Sequence, residues 1–219
     1  MSDDSIRLNK RLADDLGCSR TEAERYIAGG YVTVDGEPCE EPGARVTPSQ
    51  QVALLPGAVA AEIPPVTIIL NKNAGDESSA RLIAPERQHG DVRFLRAHLN
   101  NLKLLAPLEA SANGLIVFSQ DYRVERKLSE GLEHELIVEV AGKIKEGGLA
   151  QLNQGMKASW QNETRLRIAT KILKPGLIER LCRDVGLTVR SIKRIRLGRL
   201  PLSSLPPGEW RYLTDFERF

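Results

Sequence analysis

The sequence predicts an α+β protein made of a small N-terminal unit, residues 1–55, a linker, 56–65, and a larger mixed domain, 66–219. Three observations carry this. Two short amphipathic helix patterns are followed by a hairpin signal. A small, proline-rich stretch, Leu55-Pro-Gly-Ala-Val-Ala-Ala-Glu-Ile-Pro-Pro65, separates them from the rest, as a linker does. Beyond it, short β-branched runs and helix patterns interleave without an internal repeat.

In the N-terminal unit, Leu8, Leu12 and Leu16 fall four apart and mark one stripe of a helix over residues 5–16. Ser19-Arg-Thr-Glu22 is a capping box that starts a second helix, continued by Ala23 and Ile27 and stopped by Gly29-Gly30. Tyr31–Val34 alternates as a strand, Asp35-Gly36 is a hairpin turn, and Arg45-Val46 and 51–54 suggest two further strands.

In the larger domain, Val66–Leu70 reads as a buried strand followed by a turn, Asn71-Lys72-Asn73-Ala74-Gly75. Residues 76–98 give few signals. Gly114–Phe118 is a second buried strand, and Asp121 caps a helix running to Leu128 with Val124 and Leu128 inward. Glu135–Val140 alternates as a strand, 148–154 suggests a short helix, and Leu166 and Ile168 mark a strand with Arg165 and Arg167 on its other face. Leu177–Val185 reads as a helix closed by Gly186. A basic strand over 188–197 and a last strand entered through Leu205-Pro-Pro-Gly-Glu-Trp-Arg211 complete the chain.

Composition excludes several classes. Hydrophobic residues make up 41% and charged residues 27% of 219, enough for a core, and no apolar run approaches the roughly 20 residues of a membrane span. The acidic start, Met1-Ser-Asp-Asp-Ser, has neither the charge nor the apolar run of a signal or transit peptide. Three cysteines without CxxC spacing, Cys18, Cys39 and Cys182, point to reduced thiols in a cytoplasmic protein, and three histidines without ligand spacing point away from a metal site. The net charge of +2 hides an asymmetry: residues 165–199 hold eleven Lys or Arg against two acids, the footprint of a phosphate-binding surface. Within its strand, alternation puts Lys193 on the face opposite Arg194 and Arg196.

The stretch Ala106-Pro-Leu-Glu109-Ala-Ser-Ala-Asn-Gly114 sets one carboxylate, Glu109, in a turn-prone loop against a buried strand. A loop acid held that way is rigidly placed, as a chemical group must be.

Two resemblances add to these readings. Residues 7–13, 18–24 and 30–36 resemble the S4-type RNA-binding module, which implies that Arg7, Lys10, Arg11, Arg20 and Arg25 contact RNA phosphates. Residues 1–30 hold five basic and six acidic side chains, so such a face depends on their segregation in space. Across nearly the whole chain, Asn71-Lys72 with Gly75, the Glu109 loop with Gly114-Leu115, Lys193-Arg-Ile-Arg-Leu-Gly198 and Leu205–Arg211 are similar to the bacterial ribosomal pseudouridine synthases of the small-subunit type, a group that includes the large-subunit synthases B, E and F. That resemblance implies a mainly antiparallel sheet in residues 66–219 and isomerisation of a flipped uridine in ribosomal RNA by the carboxylate of Glu109. It further implies no metal or organic cofactor, a pocket including Lys72 and Leu136, and RNA-backbone contacts from Arg190, Lys193, Arg194 and Arg196. A monomeric cytoplasmic protein whose partner is ribosomal RNA is expected.

The loop departs from the family's Arg-Leu-Asp pattern: Pro107 stands at the arginine position, Glu109 at the aspartate and Ala112 at the threonine. Leu136 stands where the family has a base-packing tyrosine, and Gly176-Leu-Ile-Glu179 where Arg and Gln are usual. Two readings are open at this point: an RNA uridine isomerase working through Glu109, and a non-catalytic RNA-binding member, for example a ribosome-assembly factor.

Overall fold

The computed structural model describes residues 4–219; residues 1–3, part of the acidic start, lie outside the described residues. The chain divides into two compact units, one of residues 1–65 with 93–101, the other of residues 66–92 with 102–219.

In the first unit, β1 (Ile6–Arg7) leads into α1 (Leu8–Leu16) and α2 (Arg20–Ala28), followed by β2 (Val32–Val34), β3 (Glu37–Pro38), β4 (Arg45–Val46) and β5 (Val52–Leu54). Its core is Leu8, Leu12, Ala13, Ala23, Ile27, Val32 and Val46. Two members of the leucine stripe are in it. Leu16 is instead 44% exposed, because Gly17 turns left-handed and ends the helix there. The capping box forms as expected: Ser19 Oγ accepts from the Glu22 amide at 3.2 Å, and the Glu22 carboxylate accepts from the Ser19 amide at 2.9 Å. Asp35 and Gly36 both take positive φ, 54° and 88°, the geometry of a type I′ turn between β2 and β3. Residues 93–101 pack with this unit. Arg93 donates to the Gly30 carbonyl at 2.6 Å and lies 5.4 Å from the Tyr31 ring centre, and the Arg96 amide donates to Glu40 at 2.6 Å.

The second unit is built on one nine-stranded sheet. Its strands are β6 (Thr67–Lys72), β7 (Lys103–Leu104), β8 (Asn113–Ser119), β9 (His134–Gly142), β10 (Lys157–Asn162), β11 (Arg165–Thr170), β12 (Leu187–Leu197), β13 (Leu200–Pro201) and β14 (Trp210–Tyr212). The order is β10-β11-β9-β12-β8-β6-β14, with β7 on β8 and β13 on β12. Every ladder is antiparallel except β12 with β8. The helices are α3 (Tyr122–Ser129), α4 (Gly148–Leu152) and α5 (Leu177–Asp184). One core cluster joins Ile69, Leu115 and Val117 to Leu197, Leu200, Leu202 and Leu205. β6 runs on through Asn71 and Lys72, which the sequence reading gave to the turn; both are buried and paired to β8, so the turn begins at Asn73. β10, for which the sequence gave no strand signal, forms the sheet's edge with most of its residues exposed.

The C-terminal tail is fastened to β14 by Arg211, whose two terminal nitrogens donate to the Glu217 carboxylate at 2.7 and 2.6 Å. Arg211 and Thr214 hold the Glu217 carboxyl down at about 2, against an ordinary value of 4.5. A depressed carboxylate stabilises the fold above its unfolded value, and that contribution is lost as pH falls from 4.5 towards 2. Glu217→Gln is therefore expected to destabilise the protein at pH 7 by about 1–3 kcal/mol. In urea melts the gap from the parent should narrow across that acid window; a gap independent of pH would contradict the ion pair's role.

Candidate active site

The parallel β12–β8 pair brings the Glu109 loop, 105–112, into the middle of the unit. Gly114, the second residue of β8, lies directly opposite Arg194 of β12. It holds φ +101°, and a Cβ there would sit 2.3 Å from the Arg194 carbonyl oxygen, so only glycine permits the two strands this close.

The loop is clamped through its own backbone. On one side Arg194, fully buried, donates through Nη2 to the Ala106 carbonyl at 2.5 Å, through Nη1 to the Pro107 carbonyl at 3.4 Å, and through Nε to the Leu115 carbonyl at 2.6 Å. On the other side Lys72, also fully buried, donates to the carbonyls of Asn73, Asp76 and Ala110 at 2.8, 2.7 and 3.2 Å. The Gly75 amide donates to the same Ala110 carbonyl at 2.7 Å. Between them Ser78 Oγ donates to the Leu108 carbonyl at 2.8 Å and accepts from the Leu108 amide at 3.1 Å. Burying a cation costs several kcal/mol unless its donors are satisfied, and here backbone carbonyls satisfy them. Desolvation still shows: burial brings Arg194 down to about 9 and lowers Lys72. His134, beside Arg194 Nη1 at 3.2 Å, is held down at about 4 by burial and by that guanidinium, so its Nδ1 is the acceptor.

The half-buried Glu109 side chain faces a cleft of ≈ 200 Å³ lined by Pro107, Leu108, Ala112, Leu173, Ile178 and Ile192, with Lys174 also on its wall. Its Oε1 accepts from the Gly176 amide at 3.0 Å, at the residue that caps α5. A carboxylate among apolar walls, on a loop that cannot shift, is suited to act as a base or nucleophile on a flat group placed in the cleft. Among the described residues no group of three or more His, Cys, Asp or Glu could hold a metal ion.

Several residues named from the sequence are employed elsewhere. Lys72 spends its ammonium on three carbonyls and supports the Glu109 loop from below, so it neither lines the cleft nor meets a phosphate. Leu136 is fully buried in β9 between Ile168 and Arg194 and does not line the cleft. Arg194 is buried, which removes it from any RNA contact. A β-bulge in β12 between Arg194 and Arg196 breaks the alternation read from the sequence. It puts Arg196 on the face of Lys193, where Arg196 pairs with Glu135 and, at 3.4 Å, with Glu133. Arg165 pairs with Glu139 at 2.7 Å and Arg167 with Glu135, so much of the basic run is neutralised across strands. The alternating acids Glu133, just before β9, and Glu135 and Glu139 within it were a legible sign of that network.

In the first unit, Arg11 pairs with Asp15 and Arg25 with Glu62, both at short range, while Arg7, Lys10 and Arg20 are exposed and make no ion pair among the described residues. In the second, Lys171, Lys174, Arg180, Arg183 and Arg190 are exposed and likewise unpaired, and Lys193 is half-buried and unpaired. Lys174, Arg180 and Arg183 belong to the loop and helix that wall the cleft, and the sequence reading did not single them out.

Comparison with known proteins agrees with this architecture. The S4 domain family matches residues 6–52. The chain is 29% identical to the dual-specificity RNA pseudouridine synthase RluF of Escherichia coli (strain K12), over 99% of this chain and 78% of that protein. It is 25% identical to the ribosomal small subunit pseudouridine synthase A of Salmonella typhimurium, over 97% of this chain and 98% of that one. A crystal structure of a pseudouridylate synthase, 18% identical, superposes with a TM-score of 0.59 over 96% of both chains, which establishes the shared fold. The chain thus carries an S4 domain match at residues 6–52, is similar over nearly its whole length to RNA pseudouridine synthases, and shares the fold of one.

Proposed function

We propose that this protein converts uridine to pseudouridine in ribosomal RNA, acting as a cytoplasmic monomer with Glu109 as its working carboxylate. The observation that carries the reading is the Glu109 loop itself, pinned at Ala106, Pro107, Leu108 and Ala110 while its side chain is left to face an apolar cleft. Preorganisation of that kind places a reacting group without cost at the moment of reaction. The uridine leaves its stack to enter the cleft. Glu109 attacks the nucleotide or removes a proton from it, the bond from C1′ to N1 breaks, and a new bond forms from C1′ to C5. C5 then gives up its proton and N1 gains one. No electrons enter or leave, so the isomerisation calls for no redox cofactor. Without an aromatic residue on its walls, the cleft holds the base by apolar contact with Ile178, Ile192 and Leu173 in place of stacking.

RNA phosphates meet Lys174, Arg180 and Arg183 beside the cleft, with Arg190 and Lys193 further along, and Arg7, Lys10 and Arg20 in the S4 domain. Replacing Lys174 and Arg180 together by alanine should weaken ribosomal RNA binding and lower the slope of log K against log salt by about 1.4–1.8, two phosphate contacts' worth. Arg196→Ala should leave that slope unchanged while lowering the melting temperature, because its partners are Glu133 and Glu135. The opposite pattern would return the RNA contact to Arg196.

Tritium release from ribosomal RNA labelled at uridine C5 tests the reaction, since only attachment through C5 frees that hydrogen. The absence of a loop arginine and of a stacking tyrosine supports the second reading, an RNA-binding scaffold without chemistry. Tight RNA binding with no release would establish that reading in place of the first.

A further inference from the structure

We infer that the backbone amide of Gly176 aims the Glu109 carboxylate in place of a cation, and that position 109 is a glutamate because only the longer side chain reaches that amide. The inference rests on the isomerase reading of the cleft. Its starting point is a mismatch between charge and chemistry. Two buried cations flank the Glu109 loop, and neither touches the carboxylate: Arg194 is bound to the carbonyls of Ala106, Pro107 and Leu115, and Lys72 to those of Asn73, Asp76 and Ala110. Position 107, where the resembling family has an arginine, is a proline with no donor to offer. Among the described residues Glu109 makes no ion pair. The contact its side chain does make is with the Gly176 amide at 3.0 Å.

Gly176 is suited to that task. Its φ of +68° turns the chain into α5 from the segment Leu173-Lys174-Pro175, which forms the far wall of the cleft, and its amide is left to point back across the cleft at the carboxylate. The amide of a residue entering a helix also sits in the positive end of the helix field, which favours an anion. An aspartate in the same backbone position is shorter by one carbon–carbon bond, about 1.5 Å. That takes its oxygen from 3.0 Å to beyond hydrogen-bond range unless the clamped loop moves. Glu109, Pro107 and Gly176 thus act as one set: a longer acid, no loop cation, and a backbone donor on the opposite wall.

The test uses the full chain and three variants, Glu109→Asp, Pro107→Arg and the double variant, with two readouts. Single-turnover tritium release from C5-labelled ribosomal RNA should fall about a hundredfold in Glu109→Asp, the usual scale for a reacting group misplaced by about 1 Å. It should recover by about tenfold or more in the double variant, where an arginine again stands beside an aspartate. Amide hydrogen exchange at Gly176, followed by NMR in the free protein, should quicken by about fivefold or more in Glu109→Asp, the signature of one lost hydrogen bond. Parent-level release by Glu109→Asp, a double variant no faster than Glu109→Asp, or an unchanged Gly176 amide each overturns the inference. If the parent itself releases no tritium, the isomerase reading falls, and the Gly176 amide alone decides whether Glu109 is held as described.

Discussion

Glu109→Gln is expected to abolish tritium release, by about 10²–10⁴-fold or more, while the protein stays folded and binds ribosomal RNA as tightly as the parent. Glutamine keeps an oxygen that can accept from the Gly176 amide, it matches the carboxylate in length, and the half-buried site makes no ion pair among the described residues. What it removes is the negative charge and the ability to take a proton or form a bond to carbon. Single-turnover release isolates the chemical step, and a filter-binding titration measures affinity separately. A glutamine variant that works at even a tenth of the parent's rate would sink the assignment of Glu109. A variant that loses affinity and rate in parallel would mean that the carboxylate holds RNA without reacting with it. Glu109→Ala is the harsher companion, because it also empties part of the cleft and leaves the Gly176 amide without its acceptor.

Much of the frame was legible because it is local. The capping box at Ser19, the Asp35-Gly36 turn and the apolar runs at 66–70 and 114–118 each fix their own element through neighbours a few residues away. The loop carrying Glu109 was also visible, through a small-residue stretch running into a buried strand. What could not be read is what distant segments do for one another. Lys72 looked like a pocket residue and is a strut, because its fate is set by the carbonyl of Ala110, 38 residues on. Arg194 stood in a basic run that suggested RNA, yet it shares the buried face of Ile192, and the bulge that follows it turned Arg196 towards Glu135. A bulge carries no mark in a basic strand, so alternation gave the wrong face. Residues 76–98 gave little because their regular structure is limited to short 3₁₀ turns, fastened to distant partners, such as Trp210 Nε1 to the Ala84 carbonyl at 2.7 Å and Arg93 to Gly30.

Gly114→Ala should be the most disruptive single methyl group in the chain, and its comparison with Gly90→Ala shows why. Both glycines have φ +101°, so both substitutions carry the same backbone strain, about 1–2 kcal/mol. Around Gly90 a new Cβ meets nothing within 4 Å, and strain is all it costs. At Gly114 the same Cβ would lie 2.3 Å from the carbonyl oxygen and 2.8 Å from the amide nitrogen of Arg194, both backbone atoms that cannot rotate away. β8 and β12 would have to part where their parallel pairing is only two residues long. The interior is packed too tightly to absorb that, so the total should reach about 3–5 kcal/mol. For a chain of 219 residues that is a fall in melting temperature of roughly 6–20 °C, against a few degrees for Gly90→Ala. The damage should also reach the chemistry, because Arg194 grips Ala106 and Pro107 from the strand that is pushed away. At a temperature where the Gly114→Ala protein is still folded by circular dichroism, tritium release should drop while RNA binding persists. Equal melting temperatures for the two alanine variants would refute the close β8–β12 approach, and with it the account of how the Glu109 loop is held.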